Sequence, residues 1–453
     1  MNILQVANGY PPTAVGGVET YTAALSRSLA EQGHSVRVFC RESDFSRPDY
    51  EILVEHQDEI AITRVVNDHK QAISFRQTFS NPRIDQIFSD FIQAEQPDLI
   101  HFNHFIGLSA HLPLIAADLH IPSVITLHDF WPICHQVNLI DWQGRICPGP
   151  AFNVQCSVCV VGGPAHQNTS TVFWKSARLA KHVLPASLRR SLRAVIPGGG
   201  DNPPWMDSSP QVFRDRLKLF TQAVLAAQRI LVPSAYVRTQ LSNNGFPPQR
   251  IEVVPLGIAL YPDHPARKTF HDRLTFAAIG PIQPIKGMDI AIKAFSKVPG
   301  DHLRLKIIGR HDLYPRDHIE QVFKMAQADP RVSIEGPFDP AERAAIFDTF
   351  DILIVPSPAP ETFSLVAHEA LAMGKPVLAA RLGALPEIIQ DGVNGFLFEA
   401  GSDVQLAELI TTLATDPGLI EKLSPPGTTK IITTADHARQ IESIYNQVVG
   451  TSS

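Results

Sequence analysis

Two carboxylates eight positions apart, Glu361 and Glu369, frame the stretch Thr362-Phe363-Ser364-Leu365-Val366-Ala367-His368, and Gly374 follows five residues later. Thr362 or Ser364 can cap a short helix that Gly374 ends. The start of such a helix offers unpaired backbone N–H groups and the positive end of the helix dipole, and both suit a phosphate. Glu369 would lie roughly 7–8 Å further along the axis at 1.5 Å per residue. That separation is comparable with the span from a diphosphate to the ribose hydroxyls of a nucleotide. Glu361 precedes the helix, where a carboxylate can accept hydrogen bonds from a sugar. Two solvated glutamates on an amphipathic helix are the competing account of the same residues.

Other residues sit where chemistry is done in open α/β sheets, at the carboxyl ends of strands. His128-Asp129 follows the apolar run Val124 to Leu127, and Asp129 is placed to orient the imidazole through Nδ1–H. His101 and His104 end the preceding strand and are candidates for an acceptor pocket. Gly16-Gly17 opens the first helix and lets the backbone approach a ligand. Cys134, Cys147, Cys156 and Cys159 leave gaps of 12, 8 and 2 residues. Structural zinc on four thiolates is the first reading, with a disulfide or chance clustering as alternatives. Lys175 to Arg193 interleaves six cations with leucines and valine. It reads either as a solvated helix face or as a surface for anionic membrane.

The elements that must position these residues follow from periodicity. Short apolar strands are expected at Ile3–Val6, Val36–Cys40, Asp98–Phe102, Ser123–Leu127, Arg229–Val232 and Ile251–Val254. Helical segments separate them, as in βαβ units with a parallel sheet. Glu19 to Gln32 has helical spacing and Gly33 stops it. From Asp129 to Thr221 the rhythm breaks, which marks an insertion. A Pro-rich linker at Pro255–His271 precedes a second series: Leu274–Ile279, Arg304–Ile308, Val332–Ile334, Asp351–Val355 and Pro376–Ala379. The expected division is a first Rossmann-like domain over 1–257, carrying the insertion at about 130–220, and a second over 258–430. A terminal helix in 431–453 would pack back on the first domain. Two doubly wound domains would face each other across a cleft that holds the ligand.

The segment from Pro360 to Gly374 resembles the E-x7-E motif of retaining glycosyltransferases with the two-domain GT-B fold, specifically family 4. The same pattern continues at Gly374-Lys375-Pro376-Val377, Gly383-Ala384-Leu385-Pro386-Glu387-Ile388 and Asp391-Gly392-Val393-Asn394-Gly395-Phe396-Leu397. The resemblance covers nearly the whole chain. It implies that Glu361 contacts a donor sugar, Glu369 the ribose, and the N–H groups of Phe363, Ser364 and Leu365 the phosphates. It also makes Gly280, Lys286-Gly287, the Gly16-Gly17 loop and His128 parts of the donor and reaction site. The family carries a Gly-Arg where this chain has Gly280-Pro281, so one of two expected cations is missing, and proline neither bears charge nor donates from its backbone. Arg310 is the substitute within reach in sequence. The implied reaction is transfer of a sugar from a UDP- or GDP-sugar to a glycan or lipid-linked acceptor, with no metal required for transfer. Surface polysaccharide or glycolipid assembly is the implied setting. A sugar-nucleotide epimerase, a phosphorylase and a non-catalytic scaffold of the same fold are the rivals.

A net charge of −6 argues against a general nucleic-acid binder. Met1 runs directly into a strand-like segment without a basic, long apolar leader, and no run of about 18 apolar residues occurs. The expected location is therefore cytoplasmic, with peripheral contact to the inner membrane face.

Overall fold

The computed structural model describes residues 1–150, 154–162, 209–259, 273–311, 316–339, 342–423 and 431–450. The basic segment Lys175–Arg193, most of the Pro/Gly-rich run after Ile196 and residues 260–271 of the expected linker lie outside them. The chain divides into two compact units. Unit 1 comprises residues 1–233, 237–256 and 434–453; unit 2 comprises 234–236 and 257–433.

Unit 1 is built on an eight-stranded sheet. Its strands are β1 (Asn2–Ala7), β2 (Ser35–Glu42), β3 (Ile52–Gln57), β4 (Ile60–Val66), β5 (Leu99–Phe102), β6 (Ser123–Thr126), β7 (Arg229–Val232) and β8 (Ile251–Val253). They are ordered β3-β4-β2-β1-β5-β6-β7-β8. All neighbours are parallel except β3 and β4. The central strands are buried along their length, Ile3, Val6, Ile100 and Ile125 fully so. Burial on both faces explains why they read as continuous apolar runs rather than alternating ones.

The helix Thr434–Gly450 belongs to this unit and buries His437, Ile441, Ile444, Tyr445 and Val448. Its polar residues complete a chain of buried groups. Gln5 Nε2 donates to Tyr445 Oη at 3.2 Å, and that hydroxyl meets His101 Nδ1 at 2.6 Å. His101 Nε2 in turn meets Thr126 Oγ1 at 2.7 Å, and Tyr21 Oη meets His437 Nε2 at 2.8 Å. Buried polar groups are tolerated when bonded in this way.

The inserted region turns through an antiparallel bridge between Ile140 and Ile146, then forms the helix Val154–Gly162. A later helix, Pro210–Ala226, fastens it through Arg216. The guanidinium lies 4.3 Å from the Phe220 ring and 5.4 Å from that of Trp131, and donates to the carbonyls of Trp131 and Pro132.

The zinc expectation meets a different arrangement. Among the described residues, which include all four cysteines of the cluster, no three His, Cys, Asp or Glu side chains form a group that could hold a metal ion. All five cysteines are free thiols, which removes the disulfide alternative here. Burial pushes the Cys134 thiol up to about 11 and raises that of Cys159, so both stay protonated near neutral pH. Cys147 Sγ donates to the Gly149 carbonyl at 3.2 Å. Spacing in sequence does not fix where sulfurs point, and among the described residues the four sulfurs are not gathered into a metal-holding group.

Among the described residues unit 2 has six strands, all parallel: β9 (Leu274–Ile279), β10 (Leu303–Ile308), β11 (Val332–Glu335), β12 (Ile352–Val355), β13 (Val377–Ala380) and β14 (Gly395–Phe398). Their order is β11-β10-β9-β12-β13-β14. Counted within the unit this is 3-2-1-4-5-6, the Rossmann order, whose direction reverses between β9 and β12. Ligands of such sheets bind outside the carboxyl ends of the strands at that reversal. The residues leaving β9 are Gly280 to Gly287, and those leaving β12 are Pro356 to Ser364. Topology thus brings the two sequence-predicted motifs of this unit to one place.

Candidate functional site

Lys286 and Glu361 lie 75 residues apart and meet at the switch point of unit 2. The Lys286 Nζ donates to Glu361 Oε1 at 2.7 Å, and Ser357 Oγ donates to the same oxygen at 2.6 Å. Two glycines permit this approach. Gly287 has φ 67°, and a Cβ there would stand 2.3 Å from the Pro356 carbonyl, so Lys286 is delivered by a turn pressed against the exit of β12. Gly383 has φ 66°, and a Cβ there would stand 2.3 Å from the Glu361 carbonyl. The neighbouring Ala384 N–H donates to that carbonyl at 2.8 Å. The motif after β13 is therefore a floor for the Glu361 loop. Burial would raise the Glu361 pKa, but the Lys286 ammonium and the hydrogen bonds from Lys286 and Ser357 outweigh it, and the net shift is downward. Glu361 is a carboxylate over the neutral range.

The expected helix runs from Leu365 to Ala372 with Ser364 at its N-cap. Ser364 does not cap it in the anticipated way. Its φ is 64°, a left-handed conformation that costs a non-glycine residue energy, and no side-chain cap bond forms. The Ser364 hydroxyl is buried with no hydrogen-bond partner. Phe363 is buried and stacks on His368, ring centroids 3.9 Å apart and planes within 12°. His368 Nδ1 lies 3.0 Å from the Ser364 carbonyl. The turn is locked by its own aromatic pair while a polar atom beside the helix start is left unused. Leu365, partly buried, opens the helix, and Glu369 sits one turn on.

Glu369 is buried and pairs with Arg343, the first residue of the helix Arg343–Phe347. Sequence reasoning did not find Arg343. The two lie 26 residues apart on different helices, and no local spacing announces the contact. At the other motif, Gly280 leaves β9 with its N–H donating to the Ile308 carbonyl at 2.9 Å, and Pro281 follows. Arg310 reaches this turn by its main chain, its carbonyl accepting from Ile282 N–H at 2.8 Å.

In unit 1, Gly16 is the N-cap of the helix Gly17–Glu31, without a side-chain cap. Glu19 turns back toward the preceding loop and accepts from Asn8 Nδ2 at 2.7 Å. His128 is buried beside Tyr21, ring centroids 4.7 Å apart. Its Nε2 is buried with no partner. Burial lowers its pKa to about 3 against the opposing pull of the Asp129 charge, with His104 and His437 adding smaller downward contributions, so the ring is neutral.

Two expectations for this region are corrected. Asp129 does not orient His128: its Oδ2 meets His104 Nε2 at 2.8 Å and its Oδ1 accepts the Trp131 N–H at 2.8 Å, a local turn that directs the carboxylate away. His104 Nδ1 accepts from Ile106 N–H at 3.0 Å, so Nε2 carries the proton given to Asp129. His101 does not line a pocket; it is fully buried with both nitrogens engaged by Tyr445 and Thr126.

Comparison with known proteins places the chain. Residues 273–416 match the family described as Glycosyl transferases group 1, and residues 15–193 match Glycosyltransferase Family 4. The D-inositol 3-phosphate glycosyltransferase of Mycobacterium bovis (strain BCG / Pasteur 1173P2) is 32% identical over 232 residues, which cover 49% of this chain and 46% of that protein. The protein of the same name from Mycobacterium tuberculosis (strain ATCC 25177 / H37Ra) matches equally. The chain thus spans about half the length of the curated relatives it matches. Among solved structures, the sucrose-phosphate synthase of Thermosynechococcus elongatus superposes with a TM-score of 0.65 at 18% identity, covering 99% of each chain. Anabaena HepE in complex with UDP-glucose gives 0.58 at 17% identity, covering 99% of this chain and 96% of that one. These structural likenesses carry the fold, the two-domain GT-B architecture. With glycosyltransferase matches over most of both halves of its sequence, the chain belongs to the family 4, group 1 glycosyltransferases.

Proposed function

We propose that the protein is a retaining glycosyltransferase that moves a sugar from a nucleotide sugar, UDP- or GDP-linked, onto a glycan or lipid-linked acceptor. The observation that carries this reading is the Lys286–Glu361 pair at 2.7 Å on the switch point of unit 2, beside the strained Ser364 turn. A cation, a carboxylate and a helix start converge there. Lys286 and the N–H groups of Phe363, Ser364 and Leu365 stabilise the departing diphosphate, whose charge grows as the sugar–phosphate bond breaks. Glu361 accepts from the sugar hydroxyls, and Glu369 from the ribose. His128 offers a neutral, unpartnered imidazole nitrogen to a hydroxyl. HepE, a protein of the same architecture, binds UDP-glucose, which favours a UDP-sugar. The setting we infer is glycan or glycolipid assembly at the inner face of a membrane. No helix among the described residues is long and apolar enough to cross one.

The test is release of nucleoside diphosphate from UDP-glucose and GDP-mannose by purified protein, alone and with simple acceptors. Release that disappears in Glu361→Ala supports transfer, and retention of the α-anomeric configuration by NMR supports the retaining course. Donor conversion to an epimer without acceptor would replace this reading with an epimerase. No binding and no turnover with any nucleotide sugar would favour a scaffold, the outcome that Pro281 in place of arginine would then explain.

A further inference from the structure

Arg343 is not part of any motif in the sequence, yet it reaches the one carboxylate that the donor reading assigns to the ribose. Glu369 is 6% exposed. Its Oε1 accepts from Arg343 Nη1, and among the described residues Arg343 is the hydrogen-bond partner of that carboxylate. The second oxygen remains for a ligand. Arg343 itself is incompletely used. Its Nε is buried with no hydrogen-bond partner, and its guanidinium carbon lies 5.8 Å over the Phe338 ring. A buried donor left unpaired is costly and is seldom retained without a ligand or structural reason. The placement is also unfavourable to the helix it opens, since a cation in the first turn opposes the dipole.

We infer that Arg343 is the positioning residue for ribose recognition: it orients the Glu369 carboxylate that accepts from the ribose hydroxyls, and it presents Nε–H to the same nucleotide. The inference rests on the donor reading above. The physical need for it is plain. Burial pushes the Glu369 pKa up, and Arg343 is what opposes that rise. Without the guanidinium, Glu369 moves toward its neutral acid, which donates a hydrogen bond where two hydroxyls must themselves donate. A pair that merely pinned two helices together would stabilise the fold and leave nucleotide selectivity unchanged.

The experiment measures the affinity of the purified full chain for UDP, GDP and ADP, each beside its 2′-deoxy counterpart, by titration calorimetry. Wild type is expected to prefer the ribonucleotide by on the order of tenfold, as for one charge-assisted hydrogen bond. Arg343→Met should weaken the ribonucleotide and bring that ratio toward one, while Arg343→Lys restores most of it. Glu369→Gln should abolish the ratio by itself, and adding Arg343→Met to it should change the ratio no further. Circular dichroism and melting temperature check each variant's fold. Should Arg343→Met fail to fold, the Arg343→Lys and Glu369→Gln ratios decide. A wild-type ratio retained in Arg343→Met, or one unaffected by both remaining variants, overturns the role of Arg343 while leaving the donor reading intact. Wild type that binds none of the three nucleotides overturns the donor reading and this inference with it.

Discussion

Glu361 accepts from two donors at once, and that decides how it responds to substitution and to acid. Glu361→Gln preserves shape and removes charge, leaving the Lys286 ammonium without its anion. Turnover of the nucleotide sugar should fall by about 10²–10³, the usual effect of losing one pre-organised electrostatic contact, and nucleotide release under saturating donor measures it. An unchanged rate would move the sugar contact elsewhere. Because its folded pKa lies below its unfolded value, Glu361 contributes stability that is present above the ordinary carboxylate range. That contribution is lost as pH falls through the folded value. Replacing it with Gln should therefore flatten the acid limb of the stability curve below about pH 4.5. Legibility at this scale was uneven. Glu361, Glu369 and Lys286 stand out because backbone spacing and resemblance mark them. Arg343 and the Tyr21–His437 pair do not, because each joins residues far apart in sequence whose contact exists only after packing. Asp129 misled for the opposite reason: its neighbour in sequence was His128, but its own turn at Trp131 sent the carboxylate to His104.

Loops rather than helices or strands set the geometry of the candidate donor site, and they do so through backbone contacts that tolerate no side chain. Gly383→Ala puts a methyl group 2.3 Å from the Glu361 carbonyl at a residue with φ 66°. The expected cost is about 1–3 kcal/mol for strain of this kind, and the Glu361 loop must move to accommodate it. Donor affinity should fall more than the melting temperature alone implies, which calorimetric titration with UDP beside thermal melts checks. Equal, small effects on both would mean that the loop yields without consequence. Elements were more legible than sites: most strands of both sheets were expected from apolar runs, because strands buried on both faces leave no alternation to misread. The hairpin of β3 and β4 was missed. β3 alternates, with Ile52 and Val54 exposed at the sheet edge, and Thr63-Arg64 interrupts the apolar run of β4, so neither carries the continuous apolar signature of its neighbours.

Across the whole molecule, chain order and spatial membership part company at the last helix. Thr434–Gly450 follows unit 2 in sequence but belongs to unit 1. Its Tyr445 hydroxyl satisfies Gln5 of β1 and His101 of β5, and its His437 satisfies Tyr21. Of the four tryptophans, Trp131 and Trp142 lie among the described residues, and both belong to unit 1, whose unfolding their fluorescence reports. Tyr445→Phe leaves Gln5 Nε2 and His101 Nδ1 without a partner, while Gln5 Oε1 keeps Asn103 and His101 Nε2 keeps Thr126, at about 1–3 kcal/mol for a stranded polar group. The tryptophan melting midpoint should then drop by roughly 2–4 °C for each kcal/mol. Acid should act on the same unit first. Burial lowers the pKa of His128 to about 3 and of His437 to about 4, and holds His101 well below its ordinary value. These imidazoles are neutral when folded and gain protons when unfolded, so the stability they confer is complete above pH 6.5 and is lost as pH falls toward their folded values. Between pH 6.5 and 4 the tryptophan transition should therefore fall steeply in denaturant titrations. His437→Gln, which removes one such group, should reduce the slope by close to one proton. If the slope is the same with and without His437, that imidazole is already protonated in the folded chain, and the Tyr21 contact must then be made by a cation.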